Sequence, residues 1–228
     1  MPIHQIIVDL SYLYITFLYR NIRKDMAKSR AATSNDEKEE FGPVFARVYA
    51  IAASLSRRHK TVYSKALEDI VSLNPSNILE VGSGPGIAAA LIAQKLPLAK
   101  ILYVDPSSTM VKIANKRFER LSLSPRVKSV VGKSSSISTT EKFDLIFSSL
   151  SYHHWSDGPR DLNVLAGKYL SVGNLLIYEN FIANPENGNG GMHHHGISKK
   201  DIEAMNIPGF KKSYEITGKL VTVKFCNI

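Results

Sequence analysis

The feature that most constrains this chain is an alternation that runs from residue 77 to residue 180. Short apolar, β-like runs take turns with helical stretches: NILEV, a helix over 86–96, KILYVD, a helix over 107–122, RVKSVVG, a short polar segment, FDLIFSS, a helix over 159–170, and NLLIYEN. Crossovers of a dozen or more residues between short buried strands predict a parallel sheet with helices on both faces. A further helix is expected around 198–206. After it, KKSYEI and LVTVKF are joined by Thr217-Gly218-Lys219, and a short glycine-containing connection between strand patterns predicts an antiparallel hairpin at the sheet edge. The expected fold is therefore α/β, a Rossmann-like doubly wound sheet, mostly parallel, with an antiparallel C-terminal strand.

Length and pattern divide the chain in two. With 228 residues there is room for one substantial α/β domain and an N-terminal addition. PIHQIIVDLSYLYITFLY places Ile3, Ile6, Ile7, Leu10, Leu13, Tyr14, Phe17 and Leu18 at helical spacing, so it reads as an amphipathic helix. His4, Gln5, Asp9 and Ser11 interrupt it before a membrane-spanning length, and it lacks the basic start and cleavage site of a secretory signal. Its apolar face needs a cover: the protein's own core, a second subunit, a greasy substrate or a membrane surface. The polar stretch KSRAATSNDEKEE reads as a linker, which sets the division at 1–40 and 41–228. Residues 41–75 hold one or two helices that end near Asn74-Pro75, because the residue before a proline is pushed out of helical geometry.

Three glycines interrupt ILEVGSGPGIAA where the first strand meets a helix. In an open parallel sheet a ligand lies beyond the carboxyl ends of the strands, at the switch point beside the first strand. Gly82, Gly84 and Gly86 lie there, and Pro85 suits the turn into the helix. A phosphate loop of the Walker type needs Lys-Ser/Thr after the last glycine, and this chain has Ile87-Ala88. The dinucleotide fingerprint needs glycine or alanine where Ile87 stands, which weakens that reading without removing it, since Ala88 follows. Asp105 ends the second strand, and a carboxylate there accepts both hydroxyls of a ribose. Glu80, just ahead of the glycines, suits the ammonium group of an amino-acid-bearing nucleoside and repels a pyrophosphate. The pattern favours S-adenosylmethionine as the cofactor.

Four segments in order, ILEVGSGPG, YVDPSSTMVKIANKR, FDLIFSSLSYHHW and YLSVGNLLIYEN, resemble the successive motifs of class I S-adenosylmethionine-dependent methyltransferases, most of all the small-molecule branch that includes the quinone-biosynthesis enzymes. The resemblance spans roughly residues 60 to 182, and the terminal hairpin is similar to the family's reversed last strand. It implies that Glu80, Gly82, Gly84 and Gly86 surround the methionine portion, that Asp105 holds the ribose, and that Met110 approaches the adenine. Ser83, Pro106 and Ser149 complete the implied cofactor set. Two positions depart from the family. VVGKSSSI has Lys133 where an acidic residue commonly meets the adenine amine, which leaves Ser134 as the candidate for the base. Gly173-Asn174 replaces a double glycine and reads as a turn, since asparagine also accepts positive φ.

After the fourth strand, SSLSYHHWSD places Tyr152, His153, His154 and Trp155 beside the expected methyl group. Methyl transfer is an in-line displacement that needs alignment and desolvation, and a base only where the acceptor must lose a proton. Tyr152, His153 and His154 are the catalytic candidates, with a histidine as proton acceptor near neutral pH. Nucleic-acid amino-methyltransferases carry an Asn/Asp-Pro-Pro-Tyr/Phe run at this point. Here stands Leu150-Ser151-Tyr152-His153, so base methylation by that route is not expected. NPENGNGGMHHHG ends in His193, His194 and His195 with no carboxylate or cysteine at ligand spacing, and no metal is expected. One cysteine, Cys226, excludes an internal disulfide, and a cytoplasmic location is expected. The formal charge of +9 favours anionic partners, but no RNA-binding module is recognisable. The expected function is methyl transfer to a small, hydrophobic acceptor. The alternatives are a methyltransferase reaching RNA or protein through its basic face, and a non-catalytic Rossmann-like binding protein.

Overall fold

In the computed structural model, residues 56–82, 84–183 and 196–227 are described. The expected N-terminal helix, the linker, Ser83 and the three histidines 193–195 lie outside them, so the division at residue 40 does as well. Helix α1 (Arg57–Leu73) opens on Ser56, whose side chain accepts from the His59 N–H, and closes on Asn74 in the left-handed conformation, with its N–H turned back to Ile70 and Val71. That stop falls at the residue before Pro75, as the sequence predicts.

The alternation folds as written. β1 (Asn77–Val81) leads into α2 (Ile87–Lys95), β2 (Lys100–Asp105) into α3 (Ser108–Arg120), and then follow β3 (Val127–Val131) and β4 (Phe143–Ser149). A 3-10 turn at Tyr152–His154 precedes α4 (Gly158–Tyr169), β5 (Leu170–Ile182), β6 (Ile197–Ser198), α5 (Lys199–Ala204), β7 (Phe210–Thr217) and β8 (Leu220–Asn227). The sheet order is β3-β2-β1-β4-β5-β8-β7, with the short β6 paired to β5 off that path. β1 through β5 pair in parallel, and β8 runs antiparallel to both β5 and β7. The order reverses between β1 and β4, which makes their carboxyl ends the switch point.

Side-chain alternation along the strands divides the core into two layers. Ile78, Ile101, Tyr103, Leu145, Phe147, Leu176 and Tyr178 pack with α1, α2 and α3. Leu79, Val81, Leu102, Val104, Ile146, Leu175, Ile177, Val221, Val223 and Phe225 pack with α4 and α5. Helices thus cover both faces, and the central strands are sealed from water.

Arg126 and Lys212 of this basic chain are used inside the fold. Arg126 donates to the carbonyls of Ala93, Leu96 and Ala99 at the end of α2, and Lys212 donates to those of Ile202, Glu203 and Met205 at the end of α5. Both satisfy carbonyls that a helix terminus leaves without intrahelical partners.

Two expectations need correction. Gly173 and Asn174 do not form a turn: they lie inside β5, beside a register shift between Phe143 and Leu145. Asn174 is absent from the positive-φ residues. Glycine is required at 173 because a Cβ there would stand 1.8 Å from the Asp144 carbonyl oxygen. The hairpin loop is shorter than expected, since Thr217 pairs with Leu220 and leaves Gly218-Lys219 as a two-residue turn.

Candidate active site

The glycine loop sits at the switch point with all three glycines in the left-handed region: Gly82 at φ 73°, Gly84 at 64° and Gly86 at 68°. A Cβ at Gly82 would meet Ser151 Oγ, and one at Gly86 would press on Ala114 and Phe118 of α3. The first glycine therefore admits the loop after β4, and the third lets α2 and α3 close.

Neighbours from β2 and α3 hold this loop. The Gly82 N–H donates to the Val104 carbonyl at 2.7 Å. The Gly84 N–H donates to Asp105 Oδ2 at 3.0 Å, and Tyr103 donates its hydroxyl to the Gly84 carbonyl. Arg117 Nε donates to the Pro85 carbonyl at 3.0 Å. Burial, reinforced by the Asp105 and Glu80 carboxylates, pushes the Tyr103 hydroxyl well above its ordinary pKa and keeps it a donor. Tyr103→Phe is expected to keep the core filled and lose one hydrogen bond of about 1 kcal/mol, so that nucleoside affinity falls roughly fivefold; calorimetry on the variant checks it.

Asp105 is buried at the end of β2. Its Oδ1 accepts from the Ser107 N–H at 2.9 Å. Together with the Gly84 bond this fixes the plane of the carboxylate. Glu80 is fully buried on β1, in register with Tyr103 of β2 and Phe147 of β4. Met110 is buried in the first turn of α3, with Pro106 half-buried just before it. Ser149 is buried at the end of β4. Ser134 is buried too, and its hydroxyl lies 2.5 Å from Asp161 Oδ2 on α4.

Burial raises the Asp161 pKa, against the pull of the Ser134 hydrogen bond. A carboxyl that binds its proton more tightly when folded stabilises the fold below the ordinary carboxylate pKa and loses that contribution as pH rises through the raised value. Asp161→Asn is therefore expected to raise the urea midpoint at neutral pH, with the gain vanishing in acid.

The loop after β4 divides its three catalytic candidates. Leu150 adopts φ 55°, an uncommon conformation for a non-glycine residue, with its N–H held by the Tyr178 carbonyl at 2.8 Å. Tyr152 turns inward: its ring centroid lies 5.0 Å from that of Trp155, it abuts Gly158, and burial raises its pKa. His154 is exposed and lies 4.0 Å, ring to ring, from His153. His153 sits between them, its Nδ1 2.8 Å from Oε1 of the fully buried Glu179 on β5.

Sequence reasoning missed Glu179 and Ser151. Ser151 Oγ accepts from Trp155 Nε1 at 3.2 Å and faces Gly82. The signal for Glu179 was an acid inside the apolar run LLIYEN, a position that burial makes costly without a partner.

Residues 78–166 match the family described as methyltransferase domain. This stretch belongs to a methyltransferase domain with the class I S-adenosylmethionine-dependent fold. Among curated relatives it is 30% identical over 111 residues to a tRNA1(Val) (adenine(37)-N6)-methyltransferase of a Flavobacteriaceae bacterium, covering 49% of this chain and 47% of that one. It is 28% identical over 116 residues to the demethylmenaquinone methyltransferase of Thermotoga maritima, covering 50% and 48%. The chain thus spans about half the length of these relatives. A solved SAM-dependent methyltransferase from Aquifex aeolicus superposes with a TM-score of 0.64 at 18% identity, over 82% of this chain and all of that one, and shares the methyltransferase fold. No described helix is long and apolar enough to cross a membrane, and no group of three or more metal-ligating side chains occurs among the described residues.

Proposed function

We propose that this protein transfers a methyl group from S-adenosylmethionine to a small, hydrophobic acceptor. The observation that carries the reading is the left-handed glycine loop at the β1–β4 switch point, tied through the Gly84 N–H to the Asp105 carboxylate. This donor set suits the cofactor: a carboxylate of fixed plane for two ribose hydroxyls, and the buried carboxyl of Glu80 for an ammonium group. Gly82, Gly84 and Gly86 would cradle the methionine portion, with Pro106, Met110, Ser134 and Ser149 toward the nucleoside and Ser83 in the same loop. When bound, S-adenosylmethionine supplies a methyl group on a positively charged sulfur, and transfer breaks the carbon–sulfur bond with its electron pair going to sulfur.

The acceptor side is assigned to the loop after β4 and the end of β5. Tyr152 and Trp155 shape that loop, and His153 and His154 supply its titratable groups. Beside them the buried Asn180 Oδ1 has no hydrogen-bond partner, an arrangement that a bound ligand would complete. The apolar N-terminal segment is assigned to cover the acceptor, and residues 41–228 to form the methyltransferase domain.

A second reading keeps the cofactor and makes RNA the acceptor. It rests on the charge of +9 and on the relative named for a tRNA adenine. Incubation with methyl-tritiated S-adenosylmethionine, the small-molecule fraction of a cell extract and, separately, tRNA tests both. Label in organic-extractable product supports the first reading. Label in tRNA, with retention that falls steeply with salt, replaces it by the second.

A further inference from the structure

We propose that Arg117 of α3 is a positioning residue for the cofactor: by holding the Pro85 carbonyl it turns the Gly86 N–H toward the carboxylate at the amino-acid end of S-adenosylmethionine. This rests on the methyltransferase reading and deepens it, because it assigns the recognition of one charged group of the cofactor to a backbone donor aimed from behind.

Gly86 is where the loop meets two helices. It is the N-cap of α2, in the left-handed region at φ 68°. A Cβ there would stand 2.8 Å from both Ala114 Cβ and Phe118 Cζ of α3. Ala114 and Phe118 are buried and, four residues apart, share a face of α3; Arg117, three residues after Ala114, stands beside them. The Phe118 ring also meets that of Tyr103 edge-on, with centroids 6.0 Å apart, so the seat beneath the loop runs from α3 to β2. From this seat the half-buried Arg117 donates its Nε–H to the Pro85 carbonyl at 3.0 Å.

The direction of that bond sets the direction of the next donor. No cis peptide bond occurs among the described residues, and in a planar trans peptide the C=O and the following N–H point in opposite senses. With the Pro85 carbonyl drawn to α3, the Gly86 N–H points away from α3. The N–H groups of Gly82 and Gly84 are engaged by the Val104 carbonyl and the Asp105 carboxylate, whereas that of Gly86 has no partner among the described hydrogen bonds. Beside it the first N–H groups of α2 lack intrahelical partners, and such a terminus favours an anion. Tyr103 holds the preceding carbonyl, that of Gly84, but Pro85 has no N–H to be aimed by it. Tyr103 therefore braces the loop, and Arg117 also points a donor. The two ends of an amino acid are then read separately, the ammonium group by Glu80 and the carboxylate by the Gly86 N–H, whose hydrogen bond to a charged group is of the stronger kind.

Calorimetry with two probes tests this: S-adenosylhomocysteine, which carries the amino-acid end, and methylthioadenosine, a nucleoside thioether without it. Arg117→Met keeps much of the apolar stem and removes the donor. It is expected to weaken S-adenosylhomocysteine about tenfold and to leave methylthioadenosine within twofold of wild type. Arg117→Lys, which keeps a cation, is expected to fall between. Equal losses for both probes, or no loss for either, overturns the proposal and leaves Arg117 a general brace or a packing residue. If neither variant folds, the wild type decides. Carbon-13 carbonyl proline with nitrogen-15 glycine selects Gly86 and Gly209, the two glycines that follow a proline, and Gly209 serves as the unmoved control. The Gly86 N–H signal is expected to shift with S-adenosylhomocysteine and to stay with methylthioadenosine; a shift with both, or with neither, overturns the proposal. If folded wild type binds neither probe, the methyltransferase reading itself falls and takes the proposal with it; if it binds both, only the proposal is at stake.

Discussion

Asp105→Ala is expected to weaken S-adenosylhomocysteine binding by about 100-fold or more while the protein stays folded. Two ribose hydroxyls donating to one carboxylate make hydrogen bonds to a charged group, each contributing roughly 1.5–3 kcal/mol, and 1.4 kcal/mol is a factor of ten. The carboxylate also accepts from the N–H groups of Gly84 and Ser107, so its removal loosens the glycine loop as well as the ribose site. Asp105→Asn separates the two contributions. The amide keeps one acceptor oxygen and much of the loop's support, and is expected to fall between wild type and alanine. Calorimetric titration of the three proteins, with their unfolding midpoints compared, checks the ranking. Equal affinities would remove Asp105 from the cofactor site.

Gly173→Ala is the substitution expected to cost the fold most, about 3 kcal/mol. Its new methyl would collide with the Asp144 carbonyl of β4, a backbone atom that cannot rotate away. Asp144 itself is held from below, its carboxylate accepting from the N–H groups of Ser76 and Asn77 at the start of β1. Relief would therefore have to spread through three strands. Gly167→Ala is the matched control, because a Cβ there meets nothing within 4 Å inside α4. It is expected to stabilise by about 0.5–1 kcal/mol through helix propensity. Urea unfolding distinguishes the two, with the midpoint falling for the first and rising for the second at unchanged slope.

Gly173 also shows where sequence reading stopped. The parallel strands were legible because Ile78, Leu79 and Val81, like Ile101 to Val104, form apolar runs bounded by turn residues, and burial on both faces produces that pattern. The glycine loop was legible because three glycines at a strand-to-helix switch have few other uses. A glycine that relieves a clash with the next strand, however, looks the same in sequence as one that makes a turn. The difference lies in the register of β4 against β5, which no local pattern encodes. For the same reason β5 begins at Leu170, where the sequence still reads as helix, and the two-residue β6 escaped notice. His153, in the turn after β4, and Glu179, on β5, are 26 positions apart, so each was visible as a residue and neither as half of a pair. Ser134 shows the same limit: its partner Asp161 comes from α4 on the layer beneath the sheet.

The central claim is that the glycine loop and Asp105 form a site for S-adenosylmethionine, and titrating the wild-type chain with S-adenosylhomocysteine tests it most directly, with NADH run alongside. The account predicts saturable micromolar binding of the thioether and none of NADH, because Glu80 repels a pyrophosphate and Ile87 stands where the dinucleotide fingerprint needs a small residue. Binding of NADH instead, or of neither ligand by folded protein, would contradict it.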